Sequence, residues 1–125
     1  MPRIMIVDDV ASIRQIVTKV FQDVGYQVTE AARGDEALDL AKIKRVHLVI
    51  TDVEMPGMSG LELIQGLREL KTYRTTPILI LARDASDGNI KKAEALGASG
   101  FIEKPFTPER LLSVVNQVLV DAYVN

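Results

Sequence analysis

Val46-His47-Leu48-Val49-Ile50-Thr51-Asp52-Val53-Glu54-Met55-Pro56-Gly57-Met58-Ser59-Gly60 decides the fold of this 125-residue chain. Leu48-Val49-Ile50 has no polar alternation, the pattern of a strand buried on both faces in a parallel sheet. The strand ends on one carboxylate, Asp52, and breaks at once into a Pro/Gly-rich turn. In open α/β sheets ligands bind at the carboxyl ends of the strands. The groups that end the other strands therefore decide what Asp52 can do.

Working outward, Ile4-Met5-Ile6-Val7 is a second unbroken apolar run, and it ends on Asp8-Asp9. Ala11 to Val24 carries Ile13, Ile16, Val17, Val20, Phe21 and Val24 at helical spacing, and Gly25 stops it. Gln27 to Ala31 is mostly polar around Val28, as in an edge strand. Gly34-Asp35-Glu36 opens a helix with acids in its first turn, running to about Lys44. After the central strand, Ser59-Gly60-Leu61-Glu62 has capping-box spacing and predicts a helix to about Leu70. Ile78 to Leu81 is a fourth strand, Ala85 to Leu96 a fourth helix closed by Gly97, and Phe101-Ile102 a short fifth strand ending at Lys104-Pro105. Thr107 as cap and Pro108 at the first helical position start the last helix. Strict alternation implies a parallel sheet with right-handed crossovers and helices on both faces, a doubly wound α/β domain. The polar second strand belongs at an edge, giving the order 2-1-3-4-5 with five helices and one domain over residues 1–125.

Composition narrows the function. Apolar residues at 47% and charged residues at 26% suit a globular domain, and a net charge of −2 offers no basic footprint for nucleic acid. The absence of cysteine excludes disulfides, thiolate metal sites and thiol nucleophiles. No signal-peptide pattern and no apolar run of membrane-spanning length occurs, so the expectation is a cytoplasmic protein without membrane contact.

Strands in one sheet lie about 4.8 Å apart, so adjacent first and third strands bring Asp8, Asp9 and Asp52 together at one edge. Three carboxylates alone repel and raise each other's pKa. A hard cation and an ammonium relieve the repulsion. Magnesium suits an oxygen-only set, and Lys104 supplies the ammonium. A carboxylate held among such groups is a nucleophile toward phosphorus, giving an aspartyl phosphate.

Asp8-Asp9, Asp52 before Met55-Pro56-Gly57-Met58-Ser59-Gly60, and Gly100-Phe101-Ile102-Glu103-Lys104-Pro105-Phe106 together resemble a response-regulator receiver domain, most nearly the stand-alone, CheY-like form. The resemblance covers essentially the whole chain and carries the flavodoxin-like 2-1-3-4-5 order with it, so the strand order is not independent of it. It implies that Asp52 is phosphorylated by the phosphohistidine of a histidine kinase. It also implies that Asp8, Asp9 and the backbone carbonyl of Glu54 hold Mg2+ with Asp52, that Lys104 contacts the phosphoryl group, and that Lys104-Pro105 is a cis peptide. On the same resemblance Phe101 would occupy the aromatic switch position, and the face of the fourth helix, fifth strand and fifth helix would pass the signal to a downstream target protein, motility signalling being the commonest association of the family. Nothing further is implied about oligomeric state than a monomer or weak dimer. A chain ending soon after the fifth helix reads as a stand-alone regulator or a receiver excised from a longer protein.

One position departs from the family. Its fourth strand ends in Thr or Ser, whose hydroxyl bonds the phosphoryl group; here Ala82 stands there, followed by Arg83. Thr75 and Thr76 lie at the wrong end of the strand, and Ser86 is the remaining hydroxyl in the loop. The acceptor is therefore expected to be modified while the switch is weakened or rerouted, with Arg83 as a charged replacement for the lost hydrogen bond. Glu54 either influences the water that hydrolyses the phosphoryl group or pairs with Arg83.

Plainer readings stand beside these. Phe101 also fits simple core packing. His47 enters the strand far from Asp52 and reads as a packing or surface residue. Met55 and Met58 read as loop packing, and Lys42, Lys44 and Arg45 as a solvated helix end. The apolar arc of the last helix, roughly 160° from Leu111 to Ala122 with Val120 outside it, is wider than core packing requires, but the first helix covers about 140° by the same measure. Three rivals remain. One is a magnesium-dependent aspartyl-phosphate phosphatase of the haloacid-dehalogenase type, with Glu54 where that family has Asp. Another is a degenerate receiver acting as a phosphorylation-independent scaffold, which Ala82 favours. A nucleotide-binding flavodoxin-like protein is less supported, since no Gly-rich loop follows the first strand.

Overall fold

The structure is a computed structural model describing residues 2–124; Met1 and Asn125 lie outside the described residues. The elements follow in order: β1 Arg3–Val7, α1 Ala11–Asp23, β2 Gln27–Ala31, α2 Gly34–Ile43, β3 Leu48–Asp52, α3 Gly60–Glu69, β4 Ile78–Ala82, α4 Asp87–Leu96, β5 Gly100–Glu103 and α5 Pro108–Tyr123. All pairings are parallel and the sheet order is β2-β1-β3-β4-β5. Every residue of β3 and β4 is buried, whereas β2 shows the exposed pattern of an edge. A short 3-10 turn at Lys71–Tyr73, without a signature in the sequence, leads from α3 toward β4.

The pleat sorts side chains into two cores. On one face Met5, Val7, Val49, Ile78, Ile80 and Ala82 pack with residues of α2, α3 and α4. On the other, Ile4, Ile6, Leu48, Ile50, Leu79, Leu81 and Ile102 pack with Val17 and Phe21 of α1 and Leu111 and Val115 of α5. Each fully buried aliphatic contributes about 1.5–3 kcal/mol. The same alternation carries past the strand ends and aims the residues there, because successive side chains point to opposite faces.

Local chemistry sets the helix starts. Ser59 and Glu62 complete the capping box: Glu62 N–H donates to Ser59 Oγ at 3.2 Å and Ser59 N–H to Glu62 Oε1 at 3.0 Å. Thr107 Oγ1 accepts from Arg110 N–H, and Pro108 takes the first helical position. The fourth helix begins at Asp87, not at Ala85. Ser86 is its cap and accepts from Asn89 N–H, while Ser86 N–H is held by Asp84 Oδ1, so Ala85 and Ser86 belong to the turn. Apolar periodicity also overstated burial on α1 and α5. Ile16 and Val24 are more than half exposed, and on α5 only Leu111 and Val115 are buried.

Candidate functional site

Register brings the chemistry together. Val7 pairs with Thr51, Asp52 with Leu81 and Ala82 with Glu103, so the residues just beyond these strands share one edge of the sheet. Asp8, Asp9 and Asp52 each offer a carboxylate oxygen within 4.8 Å of the others. Lys104 Nζ lies 3.3 Å from Asp52 Oδ2 and 3.6 Å from Asp8 Oδ2. The Lys104 side chain is about one-fifth exposed, the two carboxylates far less, so solvent screens these contacts only partly.

Backbone and side chains hold the acidic loop in place. Asp8 Oδ1 accepts from Val10 N–H at 2.9 Å, and Arg14 Nη1 donates to the Asp8 carbonyl at 2.7 Å while its Nε pairs with Glu30. Below Asp52, Gly60 packs directly on the Asp52 carbonyl oxygen and on Val53 Cα, where a Cβ would collide with backbone. Gly60 N–H donates to the Val53 carbonyl, and Gly57 takes a φ of 75° that favours glycine. The Pro/Gly-rich stretch is thus a tight return that carries α3 under the end of β3.

Asp8 is the electrostatically costly member. Burial pushes its carboxyl above the ordinary value of 3.8; the Val10 N–H and Lys104 oppose the rise, and Asp52 and Asp9 add to it. Asp8 Oδ2 is buried with no hydrogen-bond partner, since Lys104 at 3.6 Å is beyond hydrogen-bond range. An orphaned carboxylate oxygen beside two further carboxylates fits a hard divalent cation with oxygen ligands.

The remaining residues divide between the two faces. Ala82 is buried on the α2–α4 side and shares a cavity of about 80 Å³ with Glu54, Asp84, Asn89, Lys92 and Phe101. Phe101 is half-buried and packs on that core. Arg83 instead lines a cavity of about 410 Å³ on the α1–α5 side with Lys104, Pro105, Phe106, Ile13 and Ile16. Glu54 and Arg83 are both exposed and make no ion pair with each other among the described residues; the pleat sends them to different cavities. Ser86, the other candidate donor, is committed to capping α4. The Lys104-Pro105 peptide is cis. His47 lies at the far end of β3, where its Nδ1 accepts from Arg3 N–H and its ring meets Tyr123 edge-on, a packing role. The cavity beside Lys104 was not foreseen, because Ile13 and Ile16 read as core positions of an amphipathic helix. Their place at the start of α1, beyond the sheet edge, is a tertiary fact.

Residues 4–116 match the response regulator receiver domain. The chain belongs to that family. Among curated relatives, the chemotaxis protein CheY-3 of Vibrio cholerae is 34% identical over 117 residues, 93% of this chain and 90% of its own length. The chemotaxis protein CheY homolog of Campylobacter jejuni is 35% identical over 119 residues, covering 94% and 92%. The solved structure of Vibrio cholerae CheY4 superposes with a TM-score of 0.92 at 42% identity, over 94% of this chain and 98% of that one. This receiver is therefore CheY-like in fold and sequence, a component of two-component signalling. No helix among the described residues is long and apolar enough to cross a membrane.

Proposed function

We propose that this receiver is a phosphorylation-driven binding module with Asp52 as the acceptor. The observation that carries the reading is the cluster of three carboxylates within 4.8 Å with Lys104 Nζ 3.3 Å from Asp52. Asp8, Asp9, Asp52 and the Glu54 carbonyl would hold Mg2+, which when bound would supply charge neutralisation for the phosphoryl oxygens. An Asp52 carboxylate oxygen forms the new O–P bond as the P–N bond of a kinase phosphohistidine breaks; the electron pair stays on that nitrogen, and because the other ring nitrogen carries a proton the leaving group is neutral imidazole. Lys104 neutralises a phosphoryl oxygen. The contribution of these residues is positioning and charge neutralisation. The transfer is to the protein itself, so the chain is not an enzyme toward external substrates. Its partners are a histidine kinase and a downstream target protein engaged through the α4, β5 and α5 face, in the cytoplasm.

Phosphoramidate with Mg2+ tests the reading. Intact mass spectrometry is expected to show one phosphoryl adduct in the parent protein and none in Asp52→Asn or without Mg2+. An adduct that persists in Asp52→Asn refutes the assignment, and multiple turnovers of a small phosphate ester would point to a phosphatase. Ala82 supports a second reading, a scaffold that works without phosphorylation, because its methyl group offers the phosphoryl group no donor. A target bound equally by parent and Asp52→Asn protein would favour it.

A further inference from the structure

Ala82 brings no hydroxyl to the end of β4, while the next residue, Arg83, brings a cation to the opposite face. Leu81 packs in the α1–α5 core and Ala82 in the α2–α4 core, so Arg83 returns to the α1–α5 face. Asp8, Asp52 and Lys104 lie on that same face, since Ile6, Ile50 and Ile102, two residues before each, pack in the α1–α5 core. Lys104 N–H donates to the Ala82 carbonyl at 2.8 Å, extending the β4–β5 ladder by one residue and setting Arg83 beside Lys104. The two cations line one cavity. Asp52 pairs with Leu81, two residues before Arg83 on the adjacent strand, which puts Arg83 Cα roughly 8 Å from Asp52 Cα. That distance is within the span of an extended arginine side chain. Arg83 is exposed and, among the described residues, holds no ion pair. A planar guanidinium grips a phosphoryl group with two parallel N–H bonds, which an ammonium cannot do.

We infer that Arg83 is a phosphoryl-binding residue that replaces the missing hydroxyl. It folds onto the modified Asp52 and narrows the cavity formed by Ile13, Ile16, Pro105 and Phe106. Phosphorylation is then read on the α1 side of the sheet as well as, or instead of, through Ala82 and Phe101 on the other. The inference rests on the phosphoacceptor reading of Asp52. Arg83 lies outside helices and strands with its side chain in solvent, so its variants fold.

The test uses the full chain with phosphoramidate and Mg2+, following intact mass, amide shifts and the Arg83 Nε–H resonance. In the parent, phosphorylation is expected to move the Arg83 Nε–H signal and the amides of residues 13–16, 104 and 106. Arg83→Ala is expected to take one phosphoryl group on Asp52 at lower steady-state occupancy, to lose more than half of those amide shifts per phosphorylated molecule and to hydrolyse about tenfold faster, the loss of one charge-assisted contact. Arg83→Lys, which keeps the charge without the fork, falls between them. An unmoved Nε–H signal, or an Arg83→Ala response equal to the parent's, overturns the inference and leaves Asp52 standing as acceptor. No mass gain in the parent overturns both.

Discussion

Replacing Asp8 with Asn should stabilise this protein in the absence of metal while removing its capacity to bind one. Asp8 is only 2% exposed. At an effective dielectric constant of about 20, a carboxylate within 4.8 Å repels it by at least about 3 kcal/mol, and the Lys104 ammonium at 3.6 Å attracts it by about 5 kcal/mol. These nearly cancel. What remains is the desolvation of a buried carboxylate and the screened push of exposed Asp9, together about 1–2 kcal/mol. Asn keeps the oxygen that accepts from Val10 N–H, so the loop geometry survives. For a chain of this size the gain corresponds to about 3–10 °C in the melting midpoint at pH 7. The pH dependence carries a definite sign. A folded-state pKa raised above 3.8 makes ionisation of Asp8 unfavourable to folding, a cost absent below pH 3.8 and complete above the raised value. The advantage of Asp8→Asn should therefore vanish below that pH and grow as pH rises. Saturating Mg2+ reverses the order, because 100-fold excess over Kd adds about 2.7 kcal/mol to the parent and far less to the variant. Thermal melts with and without Mg2+ from pH 3.5 to 8 measure all of this. A variant that melts no higher than the parent at pH 7 without Mg2+, or a gap unchanged at pH 3.5, refutes the reasoning.

Gly60→Ala should destabilise by about 2–3 kcal/mol, since the added methyl meets the Asp52 carbonyl and Val53 Cα, and backbone cannot step aside; an unchanged urea midpoint would contradict this. Tyr73→Phe should cost about 1–2 kcal/mol by urea denaturation, because the buried hydroxyl donates to the Ala41 carbonyl at 2.6 Å and accepts from Val46 N–H at 3.2 Å. Ala82→Thr should change stability by less than about 1.5 kcal/mol, as the 80 Å³ cavity beside it has room for the added atoms. Phosphorylation of that variant should extend amide shifts to residues 87–96 and 101, and shifts no wider than the parent's would show that the added hydroxyl is not coupled to Phe101.

Much of the fold was legible because burial in a parallel sheet leaves a local trace. The unbroken apolar runs at 4–7, 48–50 and 78–81 and the polar stretch at 27–31 separated central strands from an edge without tertiary information. Helix starts were legible where a side chain closes on the backbone three residues on, as at Ser59 and Thr107. Ala85 misled because alanine favours helix wherever it falls, while Asp84 and Ser86 take the backbone donors that set the true start. Arg68 left no trace at all. Its guanidinium donates to the carbonyls of Tyr73, Thr76 and Gly97, partners made available only by the packing of three separate segments.

At the site, the acidic trio and Lys104 were legible because each terminates an apolar run, and parallel register brings such termini to one edge. The sorting of Glu54, Ala82, Phe101 and Arg83 was not, because it depends on which face each residue takes, and that parity is anchored by core packing several residues away. Once Leu81 and Ala82 are placed in opposite cores, the consequence is forced. A side chain at position 82 faces the α2–α4 side, whereas Arg83 lines the cavity it shares with Lys104 and α1. On the proposed phosphoacceptor reading, alanine at position 82 would leave the acceptor carboxylate and Lys104 in place, and the read-out through Arg83 would lie on the α1 side of the sheet.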